Sequence, residues 1–120
     1  MRLRHSTVEQ SGMLGGRSFI VKVLVELSPE EQETFASGYG VYERIELGDR
    51  FKDVKGVSII GTIALSELVG RQRDFKLPSI QLAGGFVDAL QEGLGGVRAQ
   101  ILATRSRIEA LGKEFAVEIG

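Results

Sequence analysis

The sequence predicts an α+β fold: a small antiparallel sheet, built from an N-terminal hairpin and further strands, packed with one long C-terminal helix and one or two short helices. Three patterns carry that expectation. Phe19 to Leu27 alternates with a period of two. Ser28-Pro29-Glu30-Glu31 has the form of a helix start. From Ser79 to Leu111, apolar residues recur in a heptad register that never slips. The chain has 120 residues, and with no linker, repeat or composition shift to divide it, residues 1–120 read as a single domain.

The N-terminal residues 2–10 are polar and weakly extended, and Ser11-Gly12-Met13-Leu14-Gly15-Gly16 reads as a turn. In the next segment Phe19, Val21, Val23, Val25 and Leu27 fall on one face of a strand rich in β-branched residues, so the two segments form a hairpin. Ser28 is placed to cap a short helix, with Pro29 at its first position and Glu31 completing a capping box; the helix ends by Gly38 or Gly40. Val41–Leu47 and Gly56–Ile60 read as strands, with Gly48–Asp53 as a loop or hairpin tip between them. Thr62–Val69 fits either a short helix stopped by Gly70 or a continued strand. Arg71–Leu77 fits a strand with Phe75 and Leu77 facing inward.

Written in sevens, Ser79–Leu111 gives the columns Ile80, Val87, Leu94, Ile101, Ile108 and Ala83, Leu90, Val97, Thr104, Leu111, in which Thr104 alone is polar. That is the seam of a helix packed along its whole length. Five glycines oppose it: Gly84, Gly85, Gly93, Gly95 and Gly96 cost on the order of 5 kcal/mol against alanine. The alternatives are one helix and a break near Gly93–Gly96; the kept phase favours one helix, straight or kinked. At 1.5 Å per residue it is about 50 Å long. That exceeds a compact globule of this size, so part of the seam needs a second cover. The expected cover is another copy of the chain, through Val87, Leu90, Leu94, Val97, Ile101 and Ile108, with the small residues Ala89, Gly93, Gly96, Ala103 and Ala110 beside the seam. Gly112 stops the helix and Phe115–Ile119 reads as a closing strand.

Charge is balanced, with 15 Lys and Arg against 16 Asp and Glu for a net charge of −1. This disfavours a general nucleic-acid binder. There is no cysteine, so no disulfide framework, thiolate metal site or thiol nucleophile is available, and the expected location is cytoplasmic. Met1-Arg2-Leu3-Arg4-His5 lacks the apolar run of a signal peptide, and Lys22 and Glu26 interrupt the longest apolar stretch, so no membrane partner is expected. With one histidine, His5, and no nucleophile elbow, P-loop or metal-ligand spacing, neither catalysis nor a cofactor is expected.

The arginines carry the remaining signal. Arg98 and Arg105 follow one flank of the seam and Arg107 the other, while Arg71 and Arg73 share parity with Phe75 and Leu77. They have three roles open to them: solvation, pairing with strand acids such as Glu43, Glu46, Glu114 or Glu118, or forked contact with an anion. Glu109 is expected on the outer side of the helix. Two functions follow. One is a non-enzymatic, self-associating protein that captures a small nucleotide-like anion through Arg71, Arg73, Arg98, Arg105 and Arg107. The other is an inhibitor or adaptor that binds a protein through a strand edge such as Val41–Leu47 or through the long helix face.

Overall fold

A computed structural model describes residues 1–12, 15–37 and 43–120. The described elements are strands β1 (Arg2–Ser11) and β2 (Arg17–Glu26), helix α1 (Pro29–Ala36), the short strands β3 (Arg44–Glu46) and β4 (Thr62–Ala64), β5 (Arg73–Leu77), and helix α2 (Ile80–Glu109). The α+β class holds. One antiparallel sheet has the order β1-β2-β5 and a second pairs β3 with β4.

The hairpin forms as the alternation requires. Val21, Val23 and Val25 turn one face of β2 into the core, opposite Thr7, His5 and Leu3 of β1. Gly15, at φ +79°, takes the left-handed conformation in the connecting turn. On the other side of β2, Phe19 faces Leu77 and Val21 faces Phe75, so β5 buries the two residues expected to face inward. Arg71 lies outside β5 and is exposed.

At the start of α1, Ser28 Oγ accepts from the Glu31 N–H at 3.2 Å, and Glu31 Oε1 accepts from the Ser28 N–H at 2.8 Å. The capping box therefore satisfies two orphan donors. Thr62–Val69 divides between the two alternatives: Thr62–Ala64 is strand and Leu65–Glu67 a 3-10 turn.

Helix α2 is one continuous rod of 30 residues. Its stripe lies across both sheets and buries Ala83, Phe86, Val87, Leu90, Leu94, Val97 and Ile101. The middle of the seam is thus covered by the chain's own strands, and the two ends, Ile80 and Leu111, are exposed. The radius of gyration, 17.8 Å, exceeds the roughly 13–14 Å of a compact 120-residue globule, and the long axis extends to 67 Å.

Two segments differ from expectation. Gly56–Ile60 forms turns rather than a strand. The Gly61 N–H donates to the Ser58 carbonyl at 2.9 Å and the Ser58 N–H to the Thr62 carbonyl at 3.0 Å, closing a turn that delays the strand to Thr62. Gly61 has φ +75° and approaches Gly48 so closely that a β-carbon would lie 2.6 Å from its carbonyl oxygen. Phe115–Ile119 likewise forms no strand in this chain: residues 111–120 are exposed beyond Glu109. They follow the end of α2 and pair with no described strand. Val41 of the expected strand Val41–Leu47, together with Tyr39 and Tyr42, lies outside the described residues.

Candidate functional site

The arginines occupy three environments. Arg98 and Arg105 face α1. Arg98 Nε stands 3.7 Å from Glu31 Oε2. Arg105 Nη1 donates to the Glu30 carbonyl at 3.0 Å and to Thr34 Oγ1 at 3.4 Å, and lies 3.7 Å from Glu33 Oε2. Arg105 Nε also meets Glu109 Oε1 at 3.2 Å, one turn along the same helix. Glu109 is therefore beside Arg105 rather than on the outer side, as the i, i+4 geometry of a helix allows. The carboxylates that meet these arginines come from α1 and α2, not from the strands. Arg73, half-buried, lies beside Gly56 and Phe75 at the edge of β5, and Arg71 is exposed nearby. Arg107 is exposed in the last turn of α2, where its charge suits the helix dipole.

Glu31 is the one buried ionisable residue among the described residues. Its side chain is 4% exposed, and Oε1 also accepts from the Met1 ammonium at 2.7 Å. Oε2 is buried without a hydrogen-bond donor, with the Arg98 guanidinium just beyond bonding distance. Burial by itself pushes this carboxyl up. The Met1 ammonium and the backbone and side chain of Ser28 outweigh that and hold it below its ordinary value. This is an anchor for α1, legible in the sequence only as a capping box.

Of the six residues expected at a subunit interface, Val87, Leu90, Leu94, Val97 and Ile101 are buried within the single chain. α2 packs on β3, β2 and α1, and also on β1 and β5, so these side chains are covered inside the single chain. Ile108, half-buried, still faces outward in part. Ala89 and Gly93 serve the same internal packing, with Gly93 pressed on Ile45. Phe51 packs edge-on against Phe86, with ring centroids 5.4 Å apart, and Arg50 sits 5.1 Å from the Phe51 ring centroid.

A groove of about 960 Å³ runs between the β3-β4 pair and α2. Glu43, Glu46 and Glu92 line it, with Arg44 as the one cation among the described residues. Arg44 is held there, its Nε donating to Thr62 Oγ1 at 2.7 Å. His5 is exposed on β1 in a shallow hollow with Lys22 and Gln72. Among the described residues no three His, Asp or Glu side chains converge as metal ligands. No described helix is long and apolar enough to cross a membrane.

What sequence reasoning placed elsewhere is the apolar surface. Leu111, Phe115, Val117 and Ile119 are 72, 68, 80 and 95% exposed, and Leu102 adds to them on the last turns of α2. Its sequence signal is the alternation Phe115-Ala116-Val117-Glu118-Ile119, which suggests a strand but forms none within the chain. Comparison with known proteins finds no matching family model, no matching curated protein and no matching solved structure.

Proposed function

We propose that the chain is a non-enzymatic binding protein that self-associates, and that its contact surface is the overhanging end of α2 with the segment after it. One observation supports this above others: four large apolar side chains stand exposed within nine residues, Leu111 to Ile119, beyond the last residue that the sheets cover. Contiguous exposed apolar surface of this kind marks an interaction site. The expectation of a second cover for the seam moves from its centre to its C-terminal end.

The anion-binding part of the expectation finds less support. Arg98 and Arg105 are engaged with α1, Arg73 lies at the start of β5 with Arg71 exposed outside it, and the groove between the β3-β4 pair and α2 is lined by carboxylates that would repel an anion.

Sedimentation and light scattering across a concentration series test the proposal. The expected result is an oligomer at micromolar concentration that Leu111→Asp with Phe115→Asp converts to monomer at unchanged helical content. A wild-type chain that stays monomeric into the high micromolar range removes self-association and leaves the adaptor reading, for which a stoichiometric protein partner is the test.

A further inference from the structure

We infer that Phe115–Ile119 of one copy adds as a further strand to the open edge of β1 in a second copy; the inference rests on the self-association proposed above and specifies its contact.

The donor is a strand without a sheet. In extended backbone Phe115, Val117 and Ile119 fall on one face and Glu114, Ala116 and Glu118 on the other. This is the pattern of a strand with one buried side, yet these side chains are largely exposed.

The acceptor is a sheet without an edge partner. β1 is ten residues long, stands at the end of the order β1-β2-β5, and pairs only with β2 among the described strands. Its outer backbone groups form a ready template for a further strand. The two faces at that edge match the two faces of the donor. On the helix side, Met1, Leu3, Gln91, Leu94, Gly95 and Arg98 border a hollow of about 310 Å³ between β1 and α2, partly apolar and open above Gly95. On the opposite face, Arg2 and Arg4 share a single carboxylate, Glu26, at 4.0 and 3.1 Å, which leaves positive charge unbalanced. A strand that lays its apolar face over the hollow brings Glu114 and Glu118 to that arginine face, where opposite charges on neighbouring strands stabilise pairing.

The donor comes from another copy because of reach. β1 begins level with Arg98 and runs towards the start of α2, since its far end borders Ser18 and Pro78. The tail leaves from the other end of the helix. From Arg98 to Ala110 is about 18 Å of helix. Val117 lies five residues past Gly112, at most about 17 Å away in extended chain. A tail folded straight back would only bring Val117 level with Arg98, and β1 continues away from it.

Two experiments on the full-length chain decide this. The chain has no native cysteine, so Ser6→Cys and Ala116→Cys can be made in separate preparations, mixed, and treated with a short bis-maleimide that tolerates a shift of register. Cross-linked heterodimer formed only in the mixture is expected; its absence overturns strand addition. Ala116→Pro with Val117→Pro removes two successive N–H groups, which point to opposite sides of an extended strand, so that one of them faces β1 in either direction, while the tail stays apolar. The double variant is expected to weaken association at least about tenfold with no change in the melting temperature of the dissociated monomer, because most of the tail's apolar surface is exposed in its own subunit. Association unchanged in the double proline variant but lost in Leu111→Asp with Phe115→Asp overturns strand addition and leaves self-association standing. A wild-type chain that is monomeric throughout overturns both.

Discussion

Gly93 and Ile45 bring helix α2 and strand β3 together with no room for a side chain between them. A β-carbon on Gly93 would stand 2.6 Å from Ile45 Cγ2 and 2.9 Å from the Glu46 carbonyl oxygen. Gly96, three residues on and in the same helix, has open space where its β-carbon would go. The two positions therefore predict opposite responses to the same substitution. Gly96→Ala gains helix propensity and is expected to stabilise by up to about 1 kcal/mol. At Gly93 the same gain is outweighed by overpacking against a buried backbone, so Gly93→Ala is expected to destabilise by about 1–3 kcal/mol. Chemical denaturation of both variants checks the pair. Equal effects at the two sites would mean that α2 can lift from β3 without loss.

Glu31 makes the stability of the fold depend on acid. Its carboxyl is held below the ordinary value of 4.5 in the folded chain by the Met1 ammonium and by Ser28. A depressed folded-state value means that the unfolded chain takes up the proton first. The contribution of Glu31 is therefore complete above pH about 4.5 and is lost as the pH falls through the lower, folded-state value. Glu31→Gln keeps an acceptor for the Ser28 N–H and removes the charge. It is expected to cost about 1–3 kcal/mol at neutral pH and to flatten the acid limb of a stability-against-pH curve. An acid limb as steep as that of the wild type would assign it to other carboxylates.

Much of this fold is legible in local pattern. The alternation of Val21, Val23 and Val25, the Ser28–Glu31 box and the seam from Ala83 to Ile101 each become the expected element, because each is dictated by neighbours in sequence. The seam also shows where local pattern ends. The register says that Leu94 and Ile101 are buried; it does not say whether their cover is the chain's own sheet or another subunit. The sheet is the cover, because β3 packs on Gly93 and the hairpin packs beside it, both non-local contacts. Five glycines count against the helix: Gly93 is pressed on Ile45 and the backbone of Glu46, a β-carbon on Gly85 would stand 2.8 Å from the Arg50 guanidinium, and Gly84, Gly95 and Gly96 face open space, where nothing in the structure explains them. Gly56–Ile60 misleads for a related reason. Its β-branched residues fit a strand, but the turn closed by Ser58, Gly61 and Thr62 sets the register of the β3-β4 pair. The partners of the arginines were equally out of reach, since Glu30, Glu31 and Glu33 lie more than sixty residues from Arg98 and Arg105 in sequence.

Arg105 ties α1 to α2 through uncharged groups as well as charged ones. It donates to the Glu30 carbonyl and to Thr34 Oγ1, and is mostly buried, whereas Glu33 and Glu109 are largely exposed. Arg105→Met, which keeps the apolar stem, is expected to cost about 1 kcal/mol and to speed hydrogen exchange in α1 more than in the β1-β2 hairpin. Glu109→Gln removes only a solvent-screened pair and is expected to change stability by less than about 0.5 kcal/mol. If Arg105→Met left α1 exchange unchanged, the capping box and the Glu31 anchor would hold the helix without it.

Phe86 joins the two sheets at the N-terminal half of α2. Its ring meets Phe51, in the loop after β3, at 77° and Phe75, on β5, at 47°, with centroids 5.4 and 5.0 Å away, and all three rings are buried. Edge-on and tilted aromatic contacts add to the apolar area that such a cluster removes from water. Phe86→Ala empties the centre of the cluster from one side, and neither Phe51 nor Phe75 can close the gap without moving its own backbone segment. A loss of about 3–5 kcal/mol is expected, seen as a lower denaturation midpoint with an unchanged denaturant slope. Phe86→Leu, which refills part of the volume without the ring, is expected to lose less than half as much. A small loss in Phe86→Ala would show that the β3-β4 pair docks on α2 through Ile45 and Gly93 alone, which the Gly93→Ala variant then tests from the other side of the same contact.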